Sequence, residues 1–187
     1  MNGNLAYKEE PREELLDGRI YMMSSPSVNH NRIAFNISHI FWNYLKGKKC
    51  ETFGDGTDVY LTDNDRVIPD VMIVCNRDII KKDGIHGTPD LIVEVLSPST
   101  AKNDKGYKKE LYEKSGVKEY WIVDPVMRSI EAYLLTDGKY VLDEFYALPP
   151  DIFDITDKER EDSKKEIHVS LYNDFCISLE EIFENLF

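Results

Sequence analysis

Apolar positions recur at helical spacing over residues 28–46, where Ile33, Ile37, Ile40, Phe41, Tyr44 and Leu45 mark one face of a predicted helix. Ser24-Ser25-Pro26-Ser27 forms a turn and cap before it, and Gly47 stops it. Upstream, residues 11–17 read as one or two helical turns closed by Gly18, and 19–24 as a short strand. After the helix the pattern turns to strands, short ones at 50–53 and 58–62 around Gly54-Asp55-Gly56, then a turn at Asp63-Asn64-Asp65. Residues 67–75 form an apolar strand with Pro69 near its start, where a missing N–H is tolerated. Residues 76–88 are a polar connection. Residues 90–96 are almost continuously apolar, the pattern of a strand buried on both faces, and end at Ser97-Pro98-Ser99-Thr100.

A second helix is expected over 104–115, with Gly116 as its left-handed stop. Residues 120–123 form another buried strand, ended by Asp124-Pro125. Segments 130–135 and 140–146 flank Asp137-Gly138, a hairpin turn signal. Residues 151–166 carry seven acids and four bases and read as an exposed excursion. Ser178-Leu179-Glu180-Glu181 is a capping box opening a last helix over 178–187. This order predicts one α/β domain over 1–187, a mixed sheet flanked by helices with its core at about 19–146, plus an added C-terminal hairpin and helix.

Composition narrows the picture. Hydrophobic residues make up 42%, so wholesale disorder is excluded. No apolar run approaches the ~20 residues of a membrane span, and residues 1–12 lack the apolar core of a secretory signal. The expected location is the cytoplasm. Cys50, Cys75 and Cys176 are odd in number and far apart, so the expectation is reduced, buried thiols rather than a disulfide or zinc framework. A net charge of −12 argues against broad coating of nucleic acid but leaves room for a local basic site. Residues 102–118 supply it: six lysines against Asp104, Glu110 and Glu113 give a local +3, with Lys81 and Lys82 as possible help.

The chemistry centres on Glu94, which sits mid-strand between Val93 and Val95. A buried carboxylate there is costly unless a cation meets it, either a metal ion or a side chain such as Lys108 or Arg32. Asp90 is four residues away on the same strand, about 13 Å at ~3.3 Å per residue, too far to share an ion. Asp70 opens the preceding strand and meets Glu94 if the two strands run antiparallel. Two carboxylates plus waters form the hard oxygen set that Mg²⁺ or Mn²⁺ prefers. Asp104, Lys108 and Tyr112 share one helix face, which makes Lys108 the candidate lysine, with an exposed Asp104 salt bridge as its alternative role. His39 and His168 read as structural or surface residues, while His86, between Gly84 and Gly87, is a minor candidate to reach the site on a loop.

Pro69-Asp70 followed by Glu94-Val95-Leu96 resembles the PD-(D/E)xK nuclease superfamily with its lysine moved to the next helix. More narrowly, DGIHGTPDLIVEVLSPSTAKNDKGYKKELYEKSGVKEYWIVDP (83–125), with DGRIYMMSSPSVNHNRI (17–33) and RVIPDVMIVC (66–75), resembles the Uma-two family of restriction endonucleases. The resemblance implies a restriction-endonuclease-like α/β core and a Mg²⁺-dependent endonuclease acting on DNA. It implies the metal at Asp70 and Glu94, with Mn²⁺ as substitute, the catalytic lysine at Lys108, and the Val95 carbonyl completing the shell. Superfamily members often carry an acid on the first helix. Here that region offers His30, with Glu14 as a looser upstream candidate. The alternative is a catalytically silent binding module on the same fold. DNA affinity is expected to be modest and carried by the lysine strip, and a symmetric homodimer is the default assembly.

Overall fold

The computed structural model describes residues 12–148, 156 and 165–187. Most of the charged excursion at 151–166 lies outside the described residues.

The chain opens on a hairpin, not on helical turns. β1 (Glu13–Leu16) pairs antiparallel with β2 (Arg19–Met22). Asp17 and Gly18 between them both have positive φ, 52° and 70°, as a two-residue hairpin turn that follows the strand twist requires. Glu14 and Leu16 are buried and alternate with half-buried neighbours, a period of two. α1 (Val28–Leu45) follows, with Ser27 Oγ accepting the His30 amide at its N-cap.

The residues expected as one strand over 67–75 divide between two sheets. β4 (Val59–Thr62) and β5 (Asp65–Val67) join the N-terminal hairpin, while β6 (Val71–Val74) belongs to the main sheet. Ile68-Pro69-Asp70 carries the chain across. The connection expected over 76–88 holds two more short strands, β7 (Ile80–Lys81) and β8 (Gly84–His86), which complete the second sheet in the order β2-β1-β5-β4-β8-β7. Gly84 has φ 147°, and a Cβ there would lie 2.5 Å from the Asp58 carbonyl oxygen, so this close strand approach needs glycine.

The main sheet also contains β3 (Glu51–Gly54), β9 (Leu91–Val95), β10 (Glu119–Asp124), β11 (Ser129–Thr136) and β12 (Lys139–Ala147). Its order is β12-β11-β10-β9-β6-β3, with only the β9–β10 pair parallel. That pair is joined by a helical crossover: α2 (Ala101–Asn103), a π turn (Asp104–Lys108) and α3 (Lys109–Ser115), stopped by Gly116 at φ 86°. The hairpin turn at Asp137-Gly138 forms as expected, with φ 51° and 77°.

Both faces of the sheet are buried. Val71, Ile73, Val93 and Trp121 pack against Ile33, Ile37 and Phe41 of α1 and against the C-terminal segment. That segment comprises β13 (Glu166–His168), β14 (Cys176–Ser178) and a single-turn α4 (Leu179–Ile182), shorter than the helix expected over 178–187. Ser178 caps it, but by accepting from the Glu180 amide. On the opposite face Met72, Ile92 and Ile122 meet Leu111 and Tyr112 of α3 and Leu16, Val59 and Val67 of the second sheet. Strand alternation places Glu94 with Ile92, in the layer between sheet and crossover helix.

The expectation of three reduced, buried cysteines is corrected. Cys50 and Cys75 form a disulfide, and Cys176 is free but exposed. The antiparallel register Glu51↔Val74 brings the two cysteines together from 25 residues apart, a pairing that spacing alone does not reveal. Among the described residues no helix is long and apolar enough to cross a membrane.

Candidate active site

Glu94 lies near the end of β9 and is buried. Its Oε1 accepts from the Tyr112 hydroxyl at 2.6 Å and lies 3.1 Å from Lys108 Nζ. The compensating side-chain cation is therefore Lys108 rather than Arg32. Lys108 Nζ also lies 2.8 Å from Glu14 Oε1 and 3.5 Å from Asp104 Oδ1. The Asp104 contact, expected as an exposed pair, is buried, so Lys108 serves both partners at once. Asp104, Lys108 and Tyr112 all point inward, as their i, i+4, i+8 spacing requires. Tyr120 Oη steadies the π turn by donating to the Asp104 carbonyl at 3.0 Å.

Asp70 follows the β5–β6 crossing. The register Val71↔Val93, continued by one residue, sets it opposite Glu94. Its Oδ2 accepts the Val95 amide at 2.7 Å and lies 3.3 Å from His30 Nε2. His30 is thus attached to Asp70, while its Nδ1 is buried without a partner among the described residues. Asp70, Glu94, Asp104, Lys108 and His30 all line one cavity of about 920 Å³.

Glu14 is the residue that sequence reasoning undervalued. It makes the shortest ion pair with Lys108, and its Oε1 also accepts the Ile68 amide at 2.9 Å, pinning the chain where it passes between sheets. The signal was present: Asp17-Gly18 is a hairpin turn, and a strand before it turns Glu14 inward with Leu16.

Four buried carboxylates, those of Glu14, Asp70, Glu94 and Asp104, face one ammonium and one imidazole. Burial pushes the Glu94 carboxyl well above its ordinary pKa, against the pull of Lys108, and raises Asp104 in the same way. Burial also pulls Lys108 down, but Glu94, Glu14 and Asp104 outweigh it and hold the ammonium above the usual lysine value. Burial opposes protonation of His30 too, yet the Asp70 hydrogen bond and charge leave it raised. Lys108 therefore stays charged, while Glu94 and Asp104, both raised, compete for protons. Among the described residues, no three His, Cys, Asp or Glu side chains are gathered closely enough to hold an ion by themselves.

The other candidates lie elsewhere. Asp90 accepts the Cys75 amide at 2.7 Å and pairs with Lys118. His86 stacks on Tyr60, and His39 stacks on Phe35. The lysines of 102–118 are largely engaged: Lys105 pairs with Glu131, Lys114 with Glu110 and Lys118 with Asp90, while Lys109 sits 3.4 Å above the Tyr133 ring. Lys108 is buried, which leaves Lys102 as the lysine of that run without a partner among the described residues.

The sequence matches the model of the Uma2 family, described as "Putative restriction endonuclease", over residues 4–157. Two uncharacterized proteins of Synechocystis sp. are similar. One, slr1290, is 34% identical over 71% of this chain and 72% of its own length; the other, sll1609, is 28% identical over 71% and 78%. A crystal structure from Anabaena variabilis, titled as a putative nuclease belonging to DUF820, shares the fold at a TM-score of 0.68 and 17% identity, covering 92% of this chain and 90% of that one. The mixed α/β architecture is therefore nuclease-like, and the chain belongs to the Uma2 restriction endonuclease family.

Proposed function

We propose that this chain is a metal-dependent endodeoxyribonuclease in which Asp70 and Glu94 hold a divalent ion, Mg²⁺ or its substitute Mn²⁺. The observation that carries the reading is the charge imbalance at the cavity floor, where the buried carboxylates of Asp70, Glu94 and Asp104, with Glu14 on Lys108 outside the lining, share Lys108 and His30. Buried charge of one sign calls for a counter-ion. Mg²⁺ keeps several waters and takes only one or two protein carboxylates, so the opposed pair Asp70 and Glu94 suits it without a closed protein cage.

When bound, the ion polarises the phosphoryl group and lowers the pKa of a water. The remaining work falls to the chain. Lys108, held as an ammonium by three carboxylates, orients the attacking water and offsets charge on the phosphorane rather than accepting a proton. Asp104, which lines the cavity and does not hold the ion, is the carboxylate suited to take that proton. His30 positions Asp70 through its Nε2.

The net charge of −12 and the engaged lysines favour a second reading, a binding module on the nuclease fold that does not turn over. A time course on supercoiled plasmid with Mg²⁺ or Mn²⁺, and EDTA as control, separates the two. Nicking that EDTA abolishes supports the enzyme. Bound Mn²⁺ without nicking assigns the chain to the module.

A further inference from the structure

The cavity's mouth differs from its floor. Of the two arginines lining it, Arg12 is spent in a two-pronged pair with Asp55. Arg128 is half-buried as a residue, and its guanidinium has no ion pair or hydrogen bond among the described residues. Arg128 is also held against its backbone preference. It sits at φ 48°, a conformation that disfavours a β-carbon, at the end of a turn in which Asp124 Oδ1 accepts the Val126 and Met127 amides. The turn and the Leu148 amide on the Arg128 carbonyl fix the backbone from which this side chain reaches the cavity.

The same mouth exposes apolar side chains. Phe187 is 88% exposed and Val126 73%, and both line the cavity. Phe187 is nonetheless anchored: its amide donates to Asn29 Oδ1 at 2.9 Å, and its main-chain oxygen accepts from Asn29 Nδ2 at 2.7 Å. An aromatic ring on a fixed backbone, lining the same cavity as an unpaired guanidinium and a buried acidic floor, is poorly matched to a duplex. Duplex DNA offers rows of phosphates and keeps its base faces stacked, and it needs a broad cationic surface. An unpaired nucleotide offers one phosphate for Arg128 and one open base face for Phe187. A cavity of about 920 Å³ is large enough to admit such a nucleotide whole.

Building on the nuclease reading, we infer that the mouth is a subsite for single-stranded DNA, in which Arg128 holds a backbone phosphate and Phe187 stacks on an unpaired base. The two residues leave different signatures. A phosphate contact adds to the salt dependence of binding, whereas stacking adds affinity that salt does not remove.

The test uses the full chain and a fluorescein-labelled single-stranded 20-mer of mixed sequence beside its duplex, with anisotropy read in EDTA at several salt concentrations. Wild type should bind the single strand about tenfold or more tighter than the duplex. Arg128→Gly, which also relieves the backbone, should weaken single-strand binding and make the log–log salt slope shallower by about 0.7; Arg128→Lys should restore the slope. Phe187→Ala should weaken single-strand binding about fivefold or more with the slope unchanged. Equal or tighter duplex binding, absence of binding, or unchanged affinity and slope in Arg128→Gly and Phe187→Ala each overturns the subsite. Because EDTA removes the metal, the two readings fail separately. Binding as described without Mn²⁺-dependent nicking sinks only the catalysis. Nicking with no effect of either substitution on binding sinks only the subsite.

Discussion

Glu94 and Glu119 sit on adjacent strands of one sheet, both buried, and they differ in what meets them. Glu119 projects to the α1 face. Its Oε1 accepts Trp121 Nε1 at 2.6 Å, and its Oε2 accepts both the amide and the hydroxyl of Ser170, at 2.8 and 2.6 Å. Three neutral donors satisfy both oxygens and tie the C-terminal segment to the sheet. Glu94, on the other face, meets a shared ammonium, a tyrosine hydroxyl and three further carboxylates beside an open cavity. Burial raises the pKa of both groups. A buried carboxylate is thus not in itself a sign of chemistry; the sign is charge left over after its neighbours are counted.

The largest expected contrast is in cleavage. Lys108→Met should reduce the initial rate of Mn²⁺-dependent plasmid nicking about 10²–10⁴-fold, as loss of a group acting on the transition state does. Glu119→Gln should nick like wild type. Equal losses in the two variants would erase the distinction between the faces.

Stability should separate them next. Without its ammonium, Lys108→Met leaves Glu14, Glu94 and Asp104 facing one another in the interior, at a cost of about 3–5 kcal/mol in urea unfolding at pH 8. Glu94 and Asp104 already have raised folded-state pKa values, so the cost should shrink as the pH falls and they take up protons. Glu119→Gln should cost less, about 1–2 kcal/mol, because one end of the amide is a donor and must face Trp121 Nε1–H or the Ser170 amide. A pH-independent cost for Lys108→Met would mean that the carboxylates are not competing for its charge.

What could be read in the sequence follows the range of the interactions involved. Glu94 announced itself because an acid between Val93 and Val95 breaks an apolar run, and Lys108 followed from helical spacing. The long helix and the Asp137-Gly138 turn are local patterns and form as expected. Glu119 stands between Lys118 and Tyr120 at a strand's edge, where nothing marks it as buried; its partner Ser170 is 51 residues away. Glu14 was obscured by reading residues 11–17 as helix, and its inward direction depends on a period of two over only four residues. The second sheet is assembled from strands of two to four residues, and its local hairpins are joined only by pairings distant in sequence, Leu15↔Arg66 and Val59↔Ile85. The Cys50–Cys75 bond likewise exists only once the β3–β6 register is known.

The smallest predicted change bears most directly on the two glutamates. Glu94→Gln should abolish nicking and Mn²⁺ binding yet leave the fold no less stable, and more stable by about 1 kcal/mol at pH 8. The amide oxygen can still accept from Tyr112 and Lys108, and Lys108 keeps Glu14 and Asp104 as counter-charges. The sign with pH follows from the raised pKa of Glu94. A carboxyl whose folded pKa exceeds its unfolded value contributes stability below the unfolded value and loses it as the pH rises through the folded one. Wild type should therefore lose stability relative to Glu94→Gln on going from pH 5 to pH 8, and the two should converge at the acid end. Parallel urea titrations at the two pH values measure the gap. A Glu94→Gln protein much weaker than wild type at pH 8 would show that Glu94, like Glu119, is held for the fold. A gap that opens with pH while nicking is lost would show that this carboxylate is kept ionisable at the expense of stability, as a metal-binding role requires.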